Sequence, residues 1–292
     1  MRQATIRWTF YLLALLVLGP MAAILTANLR ASDGGPHATA FTSTSAVAGM
    51  IATLVAFVLA AAAGIAAARL TTARAGMTTA GLILAWAAWR SGEVEHIIRT
   101  AHSASPMIPL AIEGALSVIL VVAVAFGIDR YGGLDHTSPV WPGPADSPPR
   151  PPTTTTAEAL RSLLRISPMS LAGATAAGGV AAWLVAAQGL KGQTVAAAIV
   201  SGLAAAAVGR AIDIKAHATA LMLPGVVIAL AGPIIGLVLS HGAIVDAMYA
   251  GTLAPIARIA PLDWAAGWLL GLPMGLGWAT SLVSERMKAR QA

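Results

Sequence analysis

The 292-residue sequence predicts an all-α fold, a polytopic integral membrane helical bundle of about eight transmembrane helices. Three observations carry this expectation. Hydrophobic residues make up 57% of the chain, charged residues only 10%, and mean hydropathy is +0.77, so the polar surface is too small to wrap a water-soluble core of this size. Eight stretches are largely apolar over roughly the 20 residues that about 30 Å of hydrocarbon requires. The basic residues fall between these stretches in an alternating pattern that a threaded chain explains.

Residues 1–130 form an N-terminal membrane half, with spans near 8–29, 45–69, 75–90 and 106–128. The first has a basic start at Arg2 and Arg7, but its charge-free run of 22 residues is longer than a signal-peptide core and is read as a retained span. Residues 131–156 follow as a proline-rich cytoplasmic linker, whose seven prolines between Pro139 and Pro152 preclude helix or ladder and make it a spacer. Thr155 and Glu158 have capping-box spacing, which starts an interfacial amphipathic helix over 157–167. Its Leu160, Leu163 and Leu164 share one face, and Arg161 and Arg165 another. An extension of the fifth span into the cytoplasm fits the same residues. Residues 168–292 form the C-terminal membrane half, with spans near 168–188, 193–210, 217–240 and 264–284. The third and sixth spans are short or alanine-rich, so they depend on neighbouring helices.

Loop charge sets the orientation. One side collects Arg2, Arg7, Arg69, Arg74, Arg130, Arg150, Arg161, Arg165, Arg210, Lys215, Arg286, Lys288 and Arg290, which is 13 of the 18 basic residues. The other side holds Arg30, Arg90, Arg99, Lys191 and Arg258. Cytoplasmic loops carry the excess, so both termini are expected in the cytoplasm. Arginine far outnumbers lysine and alanine dominates the apolar runs, a composition that fits a bacterial cytoplasmic (inner) membrane. A net charge of +6 does not argue for nucleic acid, because the cations form no compact patch. The chain has no cysteine, which removes disulfides, thiolate metal sites and thiol nucleophiles.

"WRSGEVEHIIRTAHSASPMIPLAIEGALSVIL" and "GRAIDIKAHATALMLPGVVIALAGPIIGLVL" share a layout: an arginine closes a span, an acid follows three residues later, then a histidine, and a proline opens the next span. If that likeness reflects a repeat, it relates spans 2–4 to spans 5–7 with inverted orientation. Chance likeness among Ala/Gly/Leu-rich helices is the simpler explanation.

The outer-face charged cluster Arg90, Glu93, Glu95, His96 and Arg99 is the most polar stretch of the membrane halves. Glu93 and His96 have the helical spacing of a metal pair, and Asp213 with His217 would complete a set. Topology puts the two pairs a bilayer apart, so no metal is expected. The cluster reads instead as a continuation of the third helix past the membrane, with Arg90–Glu93 and Glu95–Arg99 ion pairs. Glu95 and Arg99 also match part of the Glu-Glu-x-x-x-Arg pattern of intramembrane proteases, but Val94 stands where the first of the paired acids belongs. There is no His-Glu-x-x-His and no Gly-x-Ser-x-Gly either. No catalytic residue and no cofactor are expected.

Glu113 lies about 10 Å along the fourth span from Pro106, where a carboxylate is costly, so it is either an ion-coupling residue or a hydrogen-bonding packing residue. Pro224, Pro233 and Pro273 mark candidate helix breaks in the seventh and eighth spans. Gly267, Gly271 and Gly275 give one smooth helix-packing face, for a helix of this chain or of a partner. Trp264 and Trp268 are placed in an outer aromatic belt. Residues 241–262 are apolar enough for a re-entrant segment or a docking surface. His241, Asp246 and His102 nearby read as solvated.

The scarcity of deep polar groups favours a non-enzymatic membrane subunit or scaffold packing through its small-residue faces, with a membrane-protein partner or a second copy of itself. A small-ion or proton-coupled transporter using Glu113 and the proline-bearing seventh and eighth helices comes next, and an intramembrane hydrolase third.

Overall fold

In a computed structural model the described residues are 2–36, 38–131, 166–214 and 216–291, and among them the regular structure is entirely helical. The linker expected over 131–156 and the interfacial helix over 157–167 lie outside the described residues, apart from their edges.

The first span comprises α1 (Arg2–Leu13) and α2 (Gly19–Thr26), joined by a π turn at Ala14–Leu18. Pro20 accounts for the widened turn. It has no N–H to donate, and the Gly19 N–H reaches Ala14, five residues back. Next come α3 (Ala46–Leu70) and α4 (Ala73–Arg90) as a tight hairpin, with Thr72 capping α4 by accepting the Ala75 N–H at 3.2 Å. A short α5 (Val94–Ala101) precedes α6 (Met107–Tyr131). Ser167 and Pro168 start α7 (Pro168–Val185): the serine accepts the Ser170 N–H at 3.2 Å, and the proline occupies the first turn, where no N–H is needed. Then follow α8 (Lys191–Ile212), α9 (Leu223–Leu239), the short α10 (Ile244–Tyr249), a 3-10 turn at Pro255–Arg258, and α11 (Pro261–Gln291).

Among the described residues, six stretches of helix are long and apolar enough to cross a membrane: Gln3–Thr26, Ala46–Leu70, Met107–Arg130, Pro168–Val185, Lys191–Ile212 and Ala220–Leu239. Their outward side chains, among them Leu16, Ile24, Val47, Val58, Leu184 and Val238, are more than 60% exposed, which suits lipid as solvent and suggests a multi-pass membrane protein. The third and eighth expected spans, α4 and α11, are not among the six. The reason is their position. Both lie in the middle of the bundle, with Met77, Ile83, Leu84, Trp264, Trp268 and Leu269 fully buried, so their surfaces meet protein and need less hydropathy than a lipid-facing helix.

Two three-helix units flank α11. In one, α3 packs on α4 and α6; in the other, α7 packs on α8 and α9; α6 and α9 pack across the boundary. α11 lies between α4 and α8, each of which presents a glycine to it. A Cβ on Gly81 would lie 2.7 Å from Leu270, and one on Gly202 would lie 3.3 Å from the Trp268 backbone. Gly267, Gly271 and Gly275 face Ala198, Ile199 and Leu203 of α8 in turn, so the smooth face of α11 is filled by a helix of the same chain. At the α6–α9 crossing, a Cβ on Gly114 would lie 3.1 Å from the Ala229 carbonyl oxygen, the acceptor that Pro233 leaves without its helical N–H.

The loops after α2, α4, α7 and α9 gather at one end and form a cap over the bundle. It has its own small core, in which Val94, Ile97 and Ile98 of α5 meet Met107, Ile244 and Leu253. Residues 253–260 run back along α9: a Cβ on Gly232 would lie 2.9 Å from the Ile256 carbonyl oxygen, about 10 Å below the end of α9. The segment is therefore re-entrant relative to that helix, and α11 starts beneath the cap.

Candidate functional site at the capped end

Four segments that are distant in sequence converge beneath the cap through buried charges. Lys191 opens α8 and Asp263 sits in the first turn of α11, and they pair at 2.9 Å with side chains 8% and 1% exposed. Asp263 also accepts from Thr194 Oγ1 at 2.7 Å and from the Ala260 N–H at 3.2 Å, the return bond that an acid at the third helical position makes to the residue capping its own helix. The Lys191 ammonium donates further to Ser91 Oγ at 3.1 Å and to the Gly92 carbonyl at 3.3 Å, where α4 ends. A second pair joins Arg258 Nε to Glu95 at 3.2 Å, and the same guanidinium donates to the Ala187 carbonyl and, at 3.1 Å, to that of Gly251. Each buried cation meets a carboxylate and backbone carbonyls, the pairing such burial requires.

Glu113 belongs to this layer. Its carboxylate is 4% exposed and accepts from Thr39 Oγ1 at 2.6 Å, the Phe41 N–H at 2.9 Å and the Ala40 N–H at 3.0 Å. It therefore fastens the loop that follows α2. That loop continues the network, because the Ala38 carbonyl accepts the Gly92 N–H at 2.9 Å. Glu113→Gln should loosen residues 38–42 by about 1–2 kcal/mol, since the amide offers one acceptor in place of two. Amide exchange should then speed up at residues 40 and 41 and stay unchanged in α8.

The charged cluster does not continue the third helix. Ser91 is extended and Glu93 precedes α5, so Arg90 and Glu93 share no helix and form no ion pair among the described residues. Arg99 does lie one turn from Glu95, but it is exposed, and Glu95 turns instead to the buried Arg258. Glu93 and His96 stand at the capped end. Asp213 and His217 stand at the other, where Asp213 accepts the Ser167 N–H at 3.3 Å and His217 approaches Asp129 at 3.6 Å. The structure does not bring the two pairs together.

Pro224 opens α9 and does not interrupt it; Pro233 and Pro273 lie inside helices that run through them. The break occurs at residues 250–260 instead. Trp264 and Trp268 are not in an outer belt but fully buried, the second lying over Gly225 of α9, and their indole N–H groups have no partner among the described residues.

Lys191, Arg258 and Asp263 were not legible as site residues. The two cations counted only toward loop charge, and Asp263 is a lone acid in an apolar stretch. One signal was available: a re-entrant 241–262 would bury both Arg258 and Asp263, and each would then need a partner.

Comparison of the chain with protein-family models, with curated proteins and with solved structures gives no match.

Proposed function

We propose that the chain is a protein of a bacterial cytoplasmic membrane, threaded by about eight spans with both termini inside, and that it is a small-ion or proton-coupled transporter. The observation that carries this reading is the α6–α9 crossing. Gly114 is the eighth residue of α6 and Ala229 the seventh of α9, and the two residues touch. A two-fold axis in the membrane plane would bring equivalent positions into contact in this way. Gly81 and Gly202 add to it, standing nine and eight residues before Arg90 and Arg210 and both facing residues 267–272 in the first half of α11. Two inverted three-helix units around a central helix are a transporter architecture.

Coupling then belongs to the charge pairs between the units and α11, with Glu113 in a fastening role. Purified protein in liposomes is expected to pass H⁺, Na⁺ or K⁺ faster than protein-free vesicles under an imposed potential. Glu95→Gln should change the rate several-fold, and Glu113→Gln should leave it within about twofold. Vesicles as tight to all three ions as protein-free ones would end this reading.

A second reading, a non-enzymatic membrane subunit, is favoured by the ordered apolar cap. It predicts co-purification with a membrane partner that is lost when cap residues, and not lipid-facing ones, are changed.

A further inference from the structure

We propose that a cleft in the cap is a binding site for a small organic ammonium ion. The inference does not depend on the transporter reading. The cleft lies between the loop after α2, the end of α5 and the start of α6, and its walls include Phe41, Thr42, Thr100, Ala101, Pro106 and Pro109. It holds about 240 Å³. That is below the roughly 300–1,000 Å³ of sites that take drug-sized molecules, so its ligand is small. No charged residue lines it; Arg30 and Arg99 adjoin wall residues in sequence but are exposed and outside the wall.

What the walls offer is mainly lone pairs. Thr39 Oγ1 spends its one hydrogen on the Glu113 carboxylate at 2.6 Å, so in its contact with Thr42 Oγ1 at 3.1 Å the Thr42 hydroxyl is the donor. Thr42 also accepts the Thr39 N–H at 2.9 Å, which leaves it one lone pair and no hydrogen for a ligand. The chain of hydroxyls thus points its hydrogens inward to Glu113, with which no cation pairs among the described residues. The Thr100 hydroxyl likewise gives its hydrogen to the His96 and Ile97 carbonyls, each at 3.1 Å, and keeps only acceptor capacity. The Ser32 and Ser105 hydroxyls, at the exposed rim, serve in either role.

The backbone around the cleft has the same bias. Thr100 and Ala101 are the last two residues of α5, and the carbonyl end of a helix favours cations. A helix start would favour anions, but at the start of α6 Pro106 and Pro109 have no N–H, and those of Met107 and Leu110 are already bonded to the Ala104 and Pro106 carbonyls. Phe41 adds an aromatic ring, which attracts a cation to its face. Acceptors, an aromatic ring and apolar walls at Ala101 and the prolines together suit an ammonium group on a short hydrocarbon chain.

Three probes of equal chain length separate the alternatives: n-butylammonium, n-butanol and n-butyrate, titrated by saturation-transfer NMR into the full chain in a non-ionic detergent. Butylammonium should bind about tenfold more tightly than the other two, because its bonds to the hydroxyl acceptors are charge-assisted. Ala101→Phe, which fills the cleft, should weaken it at least about tenfold. Thr100→Val is the milder variant in case the larger side chain disturbs folding: the native hydroxyl bonds only to its own helix, and its loss should weaken butylammonium about threefold and leave butanol within about twofold. Equal binding of the three probes would overturn the proposal, as would no binding of butylammonium. Tightest binding of butyrate would overturn it in favour of an anion site served by Arg30 or Arg99. Butylammonium binding that neither variant alters would place its site elsewhere on the protein and overturn the proposal too.

Discussion

Gly271→Leu is expected to prevent the folded bundle from forming, at a cost on the order of 3 kcal/mol or more. A side chain on Gly271 would overlap the Ile199 carbonyl oxygen and approach the Leu203 amide at 2.9 Å, and both are backbone atoms of α8 that cannot rotate away. The same overlap recurs at Gly275 with Leu203, so the two helices would have to separate along their length. Gly179→Leu on α7 is the control: nothing lies within 4 Å of a Cβ there, and its effect should stay within about 0.5 kcal/mol. Thermal unfolding in detergent, followed by helical signal and by the near-ultraviolet signal of the buried tryptophans, measures both.

The second large effect comes from Lys191→Met. The variant leaves the Asp263 carboxylate, 1% exposed, with the Thr194 hydroxyl and the Ala260 amide but no counter-charge. An uncompensated buried charge of this kind costs about 3–5 kcal/mol. Replacing both members, Lys191→Met with Asp263→Leu, should recover most of that loss, because desolvating the ions offsets much of their attraction. If the double variant is as unstable as the single one, the penalty arises from the lost Ser91 and Gly92 bonds and not from the stranded charge.

The all-helical fold, with six described helices long and apolar enough to cross a membrane, was legible because a lipid solvent constrains composition and length strongly. The expected spans near 45–69 and 106–128 differ by a few residues at most from α3 and α6. Span 75–90 was read from the same hydrophobic count, and α4 does occupy it, although it packs centrally and carries arginines at both ends. Hydropathy says where a helix lies and little about whether its neighbours are lipid or protein. For the same reason Trp264 and Trp268 were assigned to an interface: amphipathic rings near a span end fit either place, and only the glycines of α8 and α9 decide.

The site was less legible because its partners are far apart in the chain. Local spacing drew Glu95 to Arg99, whereas burial drew it to Arg258. A pair on an exposed helix face gains only a few tenths of a kcal/mol, while a buried cation left without a partner loses several. The long-range contact wins on magnitude, and sequence spacing cannot reveal it. Glu113 was found from its depth alone, but its role depended on a loop whose Thr39, Ala40 and Phe41 carry no signal of their own. The spacing of Gly267, Gly271 and Gly275 marks a smooth face on α11, and in the structure α8 packs against it.

Threading of the helices is the claim on which the rest depends, and cysteine scanning with an impermeant reagent tests it most directly. Cysteines at the exposed positions Ser32, Ser105 and Ala243 should react from outside intact cells, and those at Thr72 and Ile214 only after the membrane is opened. Reaction of Thr72→Cys and Ser105→Cys from the same side would contradict the account, because the helices joining them could not then cross a membrane in the order proposed.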